Sequence, residues 1–174
     1  EVDTMLRRAN IDSLTSLYNN DYFRRAAQRR FKKAKAYYIS TALIIIDIDN
    51  FKTYNDSFGH EAGNTVLIFV AHILRDSVRA DDIVARYGGD EFIIMMSGKL
   101  EYASTVAERI RFSVETQGIP ERNPQLSRNV TVSLGLAHLK DGIGSLETLI
   151  EAADKQMYRA KSDGKNLVRT EDAV

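Results

Sequence analysis

Cysteine is absent from the 174 residues and proline occurs only twice. Without thiols, disulfide frameworks and thiolate metal sites are excluded, and the absence fits a reducing compartment. Neither sign of charge prevails: 24 Lys and Arg balance 24 Asp and Glu. That balance argues against bulk capture of a nucleic-acid polymer, which needs a basic excess on one face. It leaves room for a small anionic ligand held by a few local cations. Long hydrophobic runs are missing too; none approaches the ~20 residues needed to span a bilayer, and the run from Ala42 to Ile46 ends in Asp47. No cleavable signal pattern opens the chain, whose start, Glu-Val-Asp-Thr-Met, reads as a cut from something longer. A cytoplasmic, membrane-free segment is therefore expected.

What is present is a hydrophobic fraction of 44%, enough for one core, over a length too short for two comfortable domains. Pro120 and Pro124 bracket a polar stretch that reads as a loop. Met5 to Ile11 reads as the end of a helix entering from upstream. Asn20 or Asp21 is the expected cap of the next helix, where Tyr22, Phe23, Ala26, Ala27, Arg30, Phe31 and Ala34 recur near the helical period. Ala42 to Asp47 is short, apolar and β-branched, the pattern of a central strand buried on both faces. Val66, Leu67, Val70, Leu74 and Val78 mark a helix beginning near His60. Ile83 to Tyr87 and Phe92 to Met96 flank Gly88-Gly89-Asp90-Glu91 and predict a hairpin. Helical spacing returns from Leu100 to Val114, strand character from Val130 to Ala137, and helical spacing again from Leu146 to Ala160. An edge strand is expected at Asn166 to Arg169. Strands separated by helices, with one hairpin, imply an α/β fold with a central mixed sheet flanked by helices.

Chemistry concentrates in three places. Asp47-Ile-Asp49 ends the buried strand, where ligands of open α/β sheets bind. Two carboxylates on one side of an extended chain repel, and a hard divalent cation relieves the repulsion; a capping Asp in a turn is the plainer alternative. Asp90-Glu91 follows two glycines, which allow positive φ and close ligand approach; a solvated tight turn would look the same. If the two acidic pairs face each other, they make a carboxylate cluster suited to two metals on a phosphate. Lys52, Lys161 and Lys165 are ordinary surface lysines unless they lie beside that cluster. His60, His72 and His138 show no metal-ligand spacing.

Arg86-Tyr-Gly-Gly-Asp-Glu-Phe92 resembles the signature of the GGDEF family of diguanylate cyclases. Asp12-Ser-Leu-Thr-Ser-Leu-Tyr-Asn19 is similar to that family's opening D-x-L-T-G-L-x-N. Asp47-Ile-Asp-Asn-Phe-Lys52, Asn55-Asp56 and Phe58 to Gly63 resemble its central block. Val132 to Gly135, Ala153 to Lys161 and Gly164 to Asn166 resemble its final blocks. They occur in family order from about residue 12 to about residue 166, which sets the expected domain at 12–170, with residues 1–11 left as the end of a stalk helix and 171–174 as a tail.

The resemblance implies a sheet like the palm of nucleotidyl cyclases, with a ferredoxin-like core. It implies that Asp47, Asp90 and the backbone carbonyl of Ile48 ligate two Mg²⁺ or Mn²⁺ ions per active site, with Glu91 in support. Lys52, Lys161 and Lys165 would hold phosphates, Lys165 standing where many members have Arg and so losing the bidentate fork. Asn55 would recognise guanine. The implied reaction joins two GTP into cyclic di-GMP and pyrophosphate, each 3′-hydroxyl attacking the other nucleotide's α-phosphate. Asp90 is the usual candidate base, though a metal-bound carboxylate is a weak one, so its ligand role ranks first. One GTP per domain requires a homodimer, and an upstream sensory or dimerising module is expected. Arg79-Ala-Asp-Asp82 matches the family's R-x-x-D inhibitory site for cyclic di-GMP; a helix-end Arg and a turn Asp are the plainer reading. Asn64 replaces the Asp that many members use as second guanine contact. An amide matches guanine's two donors poorly, so weaker guanine selectivity and some ATP use are expected. Ser16 and Asn20 also depart from the family pattern. The alternative function is a non-catalytic receptor for cyclic di-GMP or GTP. A dehalogenase-type phosphatase built on Asp47 and Asp49 is disfavoured by Phe51 and leaves the hairpin unexplained.

Overall fold

A computed structural model describes residues 9–119 and 129–171. Helix α1 spans Asn20–Tyr37, strand β1 Thr41–Ile48, helix α2 Phe51–Phe58 and helix α3 His60–Ser77. The hairpin consists of β2, Ile83–Arg86, and β3, Glu91–Ser97. Helix α4, Leu100–Gln117, strand β4, Val132–His138, helix α5, Leu146–Ser162, and strand β5, Val168–Thr170, complete the order. The sheet runs β2-β3-β1-β4-β5. β1 is antiparallel to both neighbours, whereas β5 runs parallel to β4.

Alternation along the strands divides the core in two. Ile44, Ile46, Phe92, Ile94 and Leu134 pack under α3 and α4. Leu43, Ile45, Ile93 and Met95 pack under α1 and α5. A strand buried on both faces needs no polar alternation, which is why β1 reads as an unbroken apolar run. At Gly135 a Cβ would lie 2.0 Å from the Met157 amide nitrogen and 2.2 Å from the Ala153 carbonyl oxygen. The missing side chain lets α5 rest directly on β4.

Several boundaries differ from the sequence expectation. The cap of α1 is Asn19, neither Asn20 nor Asp21: its backbone is extended and its side-chain oxygen accepts from the Tyr22 amide at 3.0 Å. Asp21 instead sits in the first turn, where its charge complements the helix dipole. β4 starts and ends slightly later than expected, and β5 begins only at Val168 because Asn166 is left-handed, φ +50°. Helix α2 was not foreseen: Phe51, Tyr54 and Phe58 keep helical spacing, and Phe51 and Tyr54 pack half-buried against the core, but eight residues are too short a run for the period to stand out. The helix expected over Met5 to Ile11 lies mostly outside the described residues. Ala9 and Asn10 are helical, while Ile11 bridges Tyr18. The Pro120–Pro124 loop and most of the tail also lie outside them. Among the described residues no helix is long and apolar enough to cross a membrane.

Candidate active site

The end of β1 and the tip of the hairpin are neighbours. Asp47 pairs in register with Glu91, so the two side chains share the sheet face covered by α1 and α5. The Ile48 amide donates to the Asp90 carbonyl at 3.2 Å, continuing the ladder past the strand end. The strand-end and hairpin-tip acids therefore meet. Gly88 and Gly89 do not take the positive φ anticipated for them. Their contribution is space: a Cβ on Gly89 would find nothing within 4 Å, leaving the tip open to a ligand.

Two aspartates two residues apart have opposite environments. Asp49 is 4% exposed and accepts from Thr131 Oγ1 and Ser133 Oγ at 2.7 Å, Lys161 Nζ at 2.8 Å and the Asn166 amide at 2.9 Å. Burial alone would raise its pKa, but these donors outweigh it and hold the carboxyl below its usual range. Asp49 is an internal tie between β1, β4, α5 and the segment before β5. It is not the second half of an open metal-binding pair. Asp47 keeps one oxygen 3.3 Å from Lys161 Nζ, while the other, Oδ1, is buried without a hydrogen-bond partner. Burial pushes its pKa up to about 7; Lys161 opposes the rise, and the charges of Asp90 and Glu91 add to it. Glu91 is raised by burial first, then by Asp90 and Asp154. Such a group accumulates more negative charge than its own side chains can neutralise.

A metal at this place fits the donors present. The orphaned Asp47 Oδ1, the Ile48 carbonyl and the neighbouring Asp90 are hard oxygens of the kind Mg²⁺ or Mn²⁺ prefers. Among the described residues no three acidic or histidine side chains already form a closed cage, so a main-chain oxygen and ligand oxygens must complete the shell.

The cations are distributed unequally. Lys161 lies against Ile48, Asp47 and Asp49. Lys165 Nζ donates to Asn50 Oδ1. Asn50, Lys165 and Asn166 all take positive φ, a cluster of uncommon backbone conformations around the site. Asn166 is held there by its bond to Asp49 and by Arg111 and Glu115 of α4, each at 3.0 Å from its amide group. Lys52 is exposed on the first turn of α2. Asn55 Oδ1 is buried without a partner, and a Cβ on Gly63 would overlap it at 1.8 Å. Asn64 is exposed next to Gly63 on α3. Thr131, Ser133 and Asn166 gained no chemical role from sequence. For Ser133 and Asn166 the signal lay in the Val132–Gly135 and Gly164–Asn166 blocks, each of which supplies one donor to Asp49; Thr131 lies outside both.

Arg86 joins the opening segment to the hairpin: it donates to the Gly89 carbonyl at 2.7 Å and pairs with Asp12 at 3.3 Å. Arg79 and Asp82 follow α3. The Arg79 amide donates to Asp82 Oδ2 at 2.9 Å, and the guanidinium lies 4.4 Å from the Tyr102 ring centre. Burial raises the Asp82 pKa, against the Arg79 amide and with the help of Asp81. A groove of about 310 Å³ runs from Arg79 and Asp82 to Leu17 and Tyr18.

Comparison with known proteins decides the family. The family described as "Diguanylate cyclase, GGDEF domain" matches residues 9–167. The chain belongs to the GGDEF family. It is 42% identical over 128 residues to diguanylate cyclase A of Treponema denticola, covering 73% of this chain and 34% of that protein. To diguanylate cyclase DgcS of Shewanella oneidensis it is 35% identical over 162 residues, covering 93% of this chain and 53% of that one. The chain thus spans about a third to a half of these relatives. The crystal structure of the DgcB GGDEF domain from Caulobacter crescentus, in complex with c-di-GMP, superposes with a TM-score of 0.90 at 31% identity, covering 95% of this chain and 94% of that one. The GGDEF fold is therefore the mixed, doubly covered sheet expected from the sequence.

Proposed function

We propose that this GGDEF domain is a diguanylate cyclase that condenses two GTP into cyclic di-GMP and two pyrophosphates. The observation that carries the reading is the Asp47–Glu91 register, continued by the Ile48–Asp90 hydrogen bond, which unites the acids at one sheet end beside Lys161. Asp47, Asp90 and the Ile48 carbonyl hold two Mg²⁺ or Mn²⁺ ions, and Glu91 supports them. A bound ion of this kind lowers the pKa of a hydroxyl and neutralises charge on attacking and leaving oxygens. Lys52, Lys161 and Lys165 bind the triphosphate. Asn55, with its unpartnered oxygen, accepts from the guanine edge, and Asn64 lies beside it with one acceptor where two donors must be met.

Each domain presents one nucleotide. The 3′-oxygen of one GTP forms a bond to the α-phosphorus of the other as the bond to pyrophosphate breaks, and the same exchange closes the ring. The reaction therefore needs a homodimer related by a twofold axis. An upstream sensory or dimerising module would control that encounter. Cyclic di-GMP bound at Arg79 and Asp82 would hold domains apart from the productive arrangement; that a related GGDEF domain has been solved in complex with c-di-GMP supports binding of the product to such a domain.

The test is incubation with GTP, ATP or both plus Mg²⁺, with products identified by mass spectrometry. Cyclic di-GMP and pyrophosphate from the wild type, and neither from Asp90→Ala, are expected. Binding of cyclic di-GMP with no pyrophosphate release would replace the enzyme by a receptor.

A further inference from the structure

Lys161 is a cation already seated among the oxygens of the acidic site. Its ammonium lies 3.2 Å from the Ile48 carbonyl, 3.3 Å from Asp47 Oδ2 and 2.8 Å from Asp49 Oδ1. The side chain is 19% exposed, and it is delivered from the end of α5, which Gly135 seats against β4. Two of its three oxygen partners belong to the groups assigned above to the metal. A divalent ion and an ammonium sharing those oxygens would repel at close range. Both cannot occupy them.

Resting on the proposed metal site, we propose that Lys161 is an internal counter-cation that excludes the metal from nucleotide-free protein and yields it when metal and triphosphate arrive together. Asp49 makes the exchange feasible. When the ammonium leaves, Thr131, Ser133 and the Asn166 amide still donate to that carboxylate, so no buried charge is stranded. The ammonium released from Asp47 and Ile48 is then available to the triphosphate. Metal without nucleotide offers it no such new partner, so metal alone binds weakly. Lys165, whose ammonium rests on Asn50 and not on these oxygens, has no part in the exclusion.

The experiment measures Mn²⁺ binding to nucleotide-free protein by electron paramagnetic resonance. Lys161→Met and Lys161→Gln should bind Mn²⁺ roughly tenfold more tightly than wild type, since a like charge is removed from beside the ion; Lys165→Met should match wild type. The glutamine variant keeps a donor for Asp49 should methionine unsettle the fold. Folded variants with unimproved Mn²⁺ binding, still lost when Asp47→Ala is added, overturn the exclusion and leave the metal site standing. Mn²⁺ binding that survives Asp47→Ala in the Lys161→Met background overturns the metal site and this proposal together. In the unsubstituted protein, saturating Mn²⁺ should increase acetylation of Lys161 by acetic anhydride, read by mass spectrometry; unchanged labelling at saturation also overturns the exclusion.

Discussion

Asp47 and Asp49 show how little a residue type says without its donors. Asp49 is satisfied four times over, and its charge is stabilised by the fold. Removing one partner of such a buried pair leaves the other uncompensated, so Asp49→Ala should lose about 3 kcal/mol of stability in urea unfolding. Asp47 is the reverse case. Its pKa in the folded chain is near 7 against an ordinary 3.8, so folding takes up a proton between those values and the metal-free wild type loses stability as pH rises through that window. Asp47→Asn abolishes this loss. In EDTA the variant should be the more stable protein at pH 7, by on the order of 1 kcal/mol, with the gap closing toward pH 4; equal melting curves across that range would refute the assignment. The variant should also be inactive, the expected trade between a strained functional group and stability. At the guanine edge, Asn64→Asp restores a second acceptor and should raise GTP-over-ATP discrimination by roughly fivefold to a hundredfold, equivalent to about 1–3 kcal/mol. Competition assays with both nucleotides measure it.

At the scale of elements, the site depends on how closely helices approach the sheet. Gly135→Ala would place a Cβ within 2.0 Å of α5 backbone, where no flexible side chain can yield. Helix α5 must then lift, at a cost of about 3 kcal/mol, carrying Lys161 away from Asp47 and Asp49. Thermal unfolding should show the destabilisation, and activity measured well below the new midpoint should still be reduced. An unshifted midpoint with full activity would show that α5 can slide without consequence. Helix α2 illustrates the opposite limit. It buries no residue, yet it carries Lys52 and Asn55, and its link to α3 turns at Gly59, φ +86°. Its apolar face is only Phe51, Tyr54 and Phe58, and three positions over two turns are too few to separate a helix from a loop in the sequence.

At the scale of the molecule, the proposed chemistry needs two copies, because one domain offers one nucleotide. Specific activity should therefore rise with protein concentration, and adding excess Asp90→Ala protein should suppress the wild type by forming mixed pairs; a constant specific activity over a hundredfold dilution would require a preformed dimer or a different reaction. Feedback belongs to the same scale. Arg79→Ala should raise the cyclic di-GMP concentration needed for inhibition, whereas unchanged inhibition would leave Arg79 only its stacking on Tyr102.

The sequence by itself determined the fold class and marked the acids and lysines that the fold gathers at one sheet end. Apolar runs of strand length, helical stripes between them and the Gly-Gly hairpin specify a mixed sheet covered on both faces, because burial must follow the period of each element. The resemblance of Arg86 to Phe92 and its companion blocks named the family from local residues alone. Tertiary structure decided which acid is open and which is spent. Asp47 and Asp49 are indistinguishable along the chain; the donors that claim Asp49 come from residues 131, 133, 161 and 166, all more than 80 positions away. It also decided that Lys161 rests on the acids themselves. A carboxylate's character is set by the charges and N–H and O–H groups within a few ångströms of it, and only folding chooses those neighbours.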